Sequence, residues 1–199
     1  MKIPTIMKYR LDRIVTKTGD SGSTSIRPNN RISKNSPIIH FLGDLDELNS
    51  FLGNLKAEMF NQCKNNPEFK KIIDVIKKIQ NHIFDMGGSI SSLNTNYINK
   101  QGLQDIEEWI KKLNEKLPPL EEFVLPGNSI LGAKAHLART CCRRTERSVV
   151  NLIESEDLYQ KLCLELILPY LNRLSDFLFV VARFCDKTQN LEEEMWLKN

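Results

Sequence analysis

The sequence predicts an all-α protein, a five-helix bundle preceded by an irregular N-terminal loop. Five separate stretches carry apolar residues at three- and four-residue spacing, and strand-like alternation is sustained nowhere. Turn-forming clusters, including the polar run from Asn61 to Asn66, Pro118-Pro119 and Pro126-Gly127-Asn128, separate those stretches. A hydrophobic content of 41% with 27% charged residues is ordinary for a globular chain of this class. At 199 residues a single domain is expected: a loop over 1–40, a bundle over 41–187 and a loosely attached tail over 188–199.

Residues 1–40 show no convincing helix. Lys2, Lys8, Arg10 and Arg13 stand against the single acid Asp12, which resembles the end of an organelle-targeting segment but is too short to define one. The run VTKTGDSGSTSI from Val15 to Ile26 is rich in Gly, Ser and Thr, and RISK follows at Arg31 to Lys34. Glycines let backbone N–H groups converge, and hydroxyls and lysines add donors, so such a loop suits phosphate oxygens. The P-loop pattern is absent, and a plain flexible loop is the other reading.

Gly43-Asp44 reads as the start of the first helix, with Asp44 and Glu47 spaced as a capping box. Leu45, Leu48, Phe51, Leu52, Leu55 and Met59 form its apolar face. Opposite lie Asp46, Asn49, Ser50, Gly53 and Ala57, small residues that admit a second helix or a ligand. The second helix is expected from Pro67 to Ile90, with Gln80, Phe84 and Gly87 sharing a face near its end. The segment Ser91 to Lys100 reads as a polar loop, and a third helix runs from Leu103 to Lys116.

The fourth helix, Ser129 to Glu154, carries the most information. Ser129 is its candidate N-cap, after the turn at Pro126-Gly127-Asn128. His136, Arg139, Thr140, Arg143, Glu146 and Arg147 share one side, with Arg144 at the edge. Leu137, Ala138, Cys141, Cys142, Val149 and Leu152 take the reverse, which should face the core. Arginines spaced i and i+4 repel by about 0.2–0.5 kcal/mol in an exposed helix, so an anion is expected across the row. The last helix runs from Leu162 to Asp186, with Pro169 as a kink or the true start. Asn172, Asp176, Phe179 and Arg183 form its polar stripe.

Composition narrows the function. A net charge of +3 is too small to hold nucleic acid by its field alone. Five cysteines without a CxxC pair argue against a disulfide framework or a zinc site, and no metal-ligand set is assigned. No apolar run reaches a membrane-spanning length, so no membrane partner is expected. Glu-x-x-His is absent, which excludes a di-iron bundle.

The motifs TKTGDSGSTS, GDLDELNS at 43–50, FVLPGN at 123–128, HLARTCCRRTER at 136–147 and YLNRLSDFLFVVAR at 170–183 resemble the ATP:cob(I)alamin adenosyltransferases of the trimeric, five-helix type. The resemblance spans nearly the whole chain in order. It implies transfer of the 5′-deoxyadenosyl group of ATP, with Mg²⁺, to the cobalt of cob(I)alamin, itself generated from cob(II)alamin. It implies a homotrimer with sites between subunits, a reductase and a cobalamin-dependent client enzyme as partners, and a cytoplasmic or mitochondrial-matrix location.

Carried over by motif, Thr16, Lys17, Thr18, Gly19, Thr24, Ser25 and Lys34 would wrap the nucleotide, with Arg143, Arg144, Glu146, Arg147 and Asn172 completing its site. Arg139 would pair with Asp46 of a neighbouring subunit, and Phe123 would lie beneath cobalt, excluding its lower ligand. Ser21 stands where the family has lysine in its G-D-K-G motif, and Asn128 stands for a second glycine, with a left-handed conformation expected to keep the turn. A Co(I) nucleophile needs no serine, cysteine or general base, which agrees with the absence of any triad or carboxylate pair. The competing readings are a non-catalytic bundle binding a polyanion and a corrinoid carrier.

Overall fold

Ile38, Phe41, Leu45, Leu48, Leu52, Leu55 and Met59 recur three and four apart and give the first helix, α1 (Pro37–Gln62), one continuous buried edge. The computed structural model describes residues 14–27, 30–62, 66–92 and 99–198. The basic N-terminal stretch and most of the loop expected at 91–100 lie outside them. α1 starts two turns before the expected Gly43, because Pro37 fits a first turn and Ile38 and Phe41 extend the apolar edge. Asp44 is therefore no cap. It sits inside the helix and turns its carboxylate to the fourth helix.

α2 (Pro67–Ser91) is capped by Asn66, whose side chain accepts from the Glu68 amide at 2.9 Å. α3 (Lys100–Asn114) begins three residues before the expected Leu103, capped by Asn99. Gly102 permits its approach, since a Cβ there would lie 2.9 Å from the His82 ring. α4 (Ile130–Ser155) is capped by Ser129 as expected. A lead-in of a 3-10 turn (Asp157–Tyr159), one α turn and a π turn (Cys163–Ile167) enters α5 (Leu168–Thr188), with Pro169 in its first turn. The helical run thus begins at Gln160, close to the expected Leu162, and its irregularity is the π turn that ends just before Leu168 and Pro169.

α4 lies between α1 and α5, α2 flanks α1, and α3 covers α5. α5 is the hub: from Val180 to Asp186 every residue is buried, whatever its direction. Gripping α4 from two sides rotates its buried arc relative to the expectation. His136 is 5% exposed and packs its ring edge-on to Phe179, whereas Leu137, expected in the core, is 52% exposed.

Two features were not expected. Residues Ser23–Arg27 (β1) and Asn30–Ser33 (β2) form an antiparallel ribbon, with Thr24 opposite Ile32 and Ser25 opposite Arg31. Only Ile26 and Ile32 pack it on the core, too few apolar residues to show alternation. The tail, expected to be loose, is docked. Asn190 takes a left-handed φ of 55°, and the amides of Asn190 and Leu191 return to the carbonyls of Lys187 and Asp186. That cap turns the chain back along the bundle.

Candidate functional site

Ser129 caps α4 through a 2.8 Å bond from the Gly132 amide and donates its hydroxyl to the buried Asp186 carboxylate. Burial raises the Asp186 carboxyl above the ordinary carboxylate range. A Cβ at Gly132 would lie 2.4 Å from Asp186 Oδ1, so only glycine lets the two helices meet there. This junction fixes the start of the helix that bears the arginines.

Along α4, Arg139 Nε donates to His136 Nδ1 at 3.2 Å. Burial and then the Arg139 charge lower His136 to about 4, so it stays a neutral acceptor near pH 7. Arg147 folds back to the Arg143 carbonyl at 3.1 Å. None of Arg139, Arg143 and Arg147 makes an ion pair among the described residues, and the exposed Arg143 guanidinium makes no hydrogen bond there. Arg144 differs. Its guanidinium is shared by Glu47 and Asp44 of α1, and the Glu47 bond raises its pKa. Asp44 also accepts from Ser148. Among the described residues three arginines thus remain as a row without counter-ions, while the fourth fastens α1 to α4.

Glu146 and Asn172 do meet: the Asn172 amide donates to Glu146 Oε1 at 3.0 Å and accepts from Arg173 at 2.8 Å. Arg173, which the sequence reading passed over, continues to Glu107 of α3. Asp176 of the expected stripe flanks it at 3.5 Å. Arg183 of the same stripe is not at this surface at all, being 3% exposed.

In the N-terminal loop, Thr16 and Thr18 face each other at 3.1 Å and are exposed. Lys17 has a left-handed φ of 59°, uncommon for a residue with a side chain. A Cβ on Gly19 would lie 3.0 Å from Lys34 Nζ, so the missing side chain lets that ammonium cover the turn. Thr24 and Ser25 lie on β1. Arg31, which sequence reading did not single out, grips the Thr18 carbonyl at 2.5 Å and the Ser23 hydroxyl at 2.7 Å. No hydrogen bond or ion pair joins this loop to the arginine row among the described residues.

Asp46 opens on a different face. With Leu42, Asn49, Phe84, Gly87 and Ser91 it lines a cleft of about 320 Å³ between α1 and α2. Part of the small-residue stripe is absorbed by that pairing: Gln80 donates to the Asn49 carbonyl at 3.1 Å and lies against Gly53. Asp46 and Arg139 are thus not brought together within one chain; Asp46 faces the α1–α2 side and Arg139 the α4–α5 side.

Phe123 stands 72% exposed, its ring 6.1 Å from Trp196 of the tail. Val124 bridges Met195, with Leu125 N–H to the Glu194 carbonyl and Trp196 N–H to the Phe123 carbonyl, both at 2.7 Å. Behind this bridge Arg183 makes a two-point pair with Glu193, Nε–Oε1 2.5 Å and Nη2–Oε2 2.9 Å, and donates to the Pro118 carbonyl. Asn128 is not left-handed; Gly127 alone takes the positive φ of 128°. The Asn128 amide instead holds the Glu192 carbonyl at 2.9 Å. Cys141 is pushed up to about 11 by burial, and Cys142 is raised too, so neither supplies a thiolate.

Comparison with known proteins adds a name to this arrangement. The family model described as cobalamin adenosyltransferase matches residues 14–185. The chain is 38% identical over 191 residues to a cobalamin adenosyltransferase of Cupriavidus metallidurans, covering 96% of this chain and 97% of that one. It is 36% identical over 174 residues to a corrinoid adenosyltransferase of Bacillus subtilis, covering 86% and 85%. Among solved structures it is similar to a variant PduO-type ATP:corrinoid adenosyltransferase of Lactobacillus reuteri complexed with cobalamin and ATP. That match has a TM-score of 0.81 at 29% identity and covers 94% of this chain and 100% of that one.

Proposed function

The chain belongs to the cobalamin adenosyltransferase family, and from that premise we propose that it transfers the 5′-deoxyadenosyl group of ATP to a corrinoid cobalt in a site shared between copies of the chain. The observation that carries this reading is the row of Arg139, Arg143 and Arg147, which has no carboxylate partner among the described residues, beside an Arg144 that has two. A triphosphate is the anion that Arg143 and Arg147 of this row fit, while Arg139 would meet Asp46 of a neighbouring copy.

The Co(I) electron pair forms the Co–C5′ bond. The C5′–O bond breaks with its pair leaving on triphosphate, and cobalt passes formally from Co(I) to Co(III). No proton moves at the reacting carbon, so no general base is required, in keeping with a neutral His136 and thiols held protonated by burial. Charge on the leaving triphosphate is the electrostatic problem, and Arg143 and Arg147, with Lys17 and Lys34 from the loop, would meet it. Among the described residues no group of three His, Cys, Asp or Glu side chains gathers to hold a metal. Mg²⁺ would arrive on the phosphates as MgATP. Glu146 and Asn172, fixed by their mutual bond, would orient the nucleotide.

Asp46 and Arg139 face apart in one chain, which supports pairing between copies and a closed ring of identical sites, a homotrimer. Phe123 would occupy the space beneath a cob(II)alamin cobalt, displace the lower ligand and ease the one-electron reduction that a reductase supplies. No helix among the described residues is long and apolar enough to cross a membrane.

The test is an anaerobic assay with chemically reduced Co(I) corrinoid and MgATP, followed by visible spectroscopy. Appearance of a light-sensitive alkylcobalt spectrum with release of triphosphate is expected. Binding of both ligands with no cobalt–carbon bond formed would make the protein a carrier instead.

A further inference from the structure

The residues proposed to wrap the nucleotide are mounted on a two-stranded ribbon, and such a ribbon is marginal on its own. Among the described residues, every side-chain hydrogen bond of residues 16–34 except those of one residue reaches no further than Asn35. The exception is Arg27, at the end of β1. Its Nε donates to the Ser91 carbonyl at 3.0 Å, and its Nη2 donates to the Tyr159 hydroxyl at 3.0 Å.

Both acceptors belong to the bundle, and each needs what Arg27 supplies. Ser91 is the last residue of α2, where carbonyls lack helical partners and a cation complements the helix dipole. Tyr159 is 3% exposed in the turn between α4 and α5, and its hydroxyl requires a partner there. Ser91 also lines the Asp46 cleft and bonds the Gly87 carbonyl on the same wall at 2.8 Å. One guanidinium thus ties the ribbon to the wall of that cleft and to the α4–α5 turn.

We infer that Arg27 is a positioning residue: it clamps the nucleotide loop to the end of α2 and so presets the loop's pose for ATP. It touches neither substrate nor reacting atoms. Its contribution is preorganisation, holding in the free protein a loop that ATP would otherwise have to order. The inference rests on the proposed nucleotide role of the loop.

The experiment measures MgATP binding by calorimetry on the full chain, without corrinoid, for wild type, Arg27→Ala, Arg27→Lys and Tyr159→Phe. Arg27→Ala should weaken MgATP binding by about two- to tenfold, the range for having to order about one further rotamer-rich side chain on binding. KM for ATP should rise in parallel while kcat at saturating ATP with Co(I) stays within about twofold, a split that positioning predicts. Tyr159→Phe keeps the ring in the core, removes one of the two ties and should give a smaller shift. It stands in if Arg27→Ala fails to fold. Arg27→Lys should recover part of the loss, since an ammonium can reach one acceptor. Unchanged MgATP affinity in folded Arg27→Ala or Tyr159→Phe would overturn the inference. So would a fall in kcat with affinity intact, which a merely structural role would give. Absence of MgATP binding by the wild type would instead strike the reading of the loop itself.

Discussion

Glu193→Ala should free the tail and, through it, Phe123. The perturbed pair is buried, with Arg183 3% and Glu193 12% exposed, and it closes with two nitrogen–oxygen contacts. Removing one partner of a buried pair costs about 3–5 kcal/mol when the remaining charge stays buried. Here the protein has a cheaper response. Tail residues 191–196 are otherwise tied by the Leu191, Leu125 and Trp196 amides and the Asn128 side chain. Each such bond is worth about 0.5–1.5 kcal/mol net. Undocking lets water reach Arg183, so the loss in global stability is capped by the docking energy of the tail. The local cost is larger: about 3–5 kcal/mol corresponds to two to three and a half decades in the opening equilibrium.

Hydrogen exchange reads that opening directly at the Leu125 and Trp196 amides, which close the bridge to the tail. Their exchange should accelerate by at least about a hundredfold while core amides of α5 change far less. Turnover from Co(II) should then fall more than turnover from pre-reduced Co(I), because Phe123 loses the neighbour 6.1 Å away that limits its movement. Wild-type exchange at both amides, or equal losses on the two cobalt routes, would refute the link between tail and Phe123.

Arg143→Ala should reduce MgATP affinity or turnover by at least about tenfold with helix content unchanged, since its exposed guanidinium holds no structural bond among the described residues. Calorimetry beside circular dichroism checks it. Asp46→Arg should weaken the oligomer and lower activity, and combining it with Arg139→Asp should restore part of both; light scattering with turnover decides, and a fully active wild-type monomer would end the shared-site reading. His136 gives a pH prediction. It is held near 4 when folded against 6.5 for the free group, so the unfolded chain binds the extra proton between those values. Stability should therefore be complete above about 6.5 and fall as pH drops toward 4. His136→Gln should flatten that part of the melting-temperature profile.

The bundle was legible where a helix carries its own start signal. Ser129 before an amphipathic run located α4 to within a residue, because capping and periodicity agree locally. α1 was placed late because Gly43 and Asp44 look like a boundary. In the protein Gly43 has nothing within 4 Å of its would-be side chain, and helical continuity is decided by Ile38 and Phe41 on the core. The ribbon was invisible to periodicity since its strands are mostly polar, held by cross-strand bonds, by Arg27 and by just two apolar contacts, Ile26 and Ile32.

At the site, the arginine row follows from residues four apart on one helix, whereas the meeting of Glu146 and Asn172, on two different helices, was expected only from the motif resemblance. Arg144 shows the limit of that logic. One residue beyond Arg143, it turns 100° around the helix, and that rotation delivers its charge to Asp44 and Glu47. Whether a guanidinium on α4 meets a carboxylate on α1 depends on the registry of two helices nearly a hundred residues apart, which no local pattern encodes. The same holds for Arg183 and Glu193. Both are ordinary polar residues in sequence, and they become a latch only because the left-handed Asn190 reverses the chain between them. Periodicity tells which side of a helix a charge takes; loops such as this one decide whether it meets a partner there or stays open to a ligand.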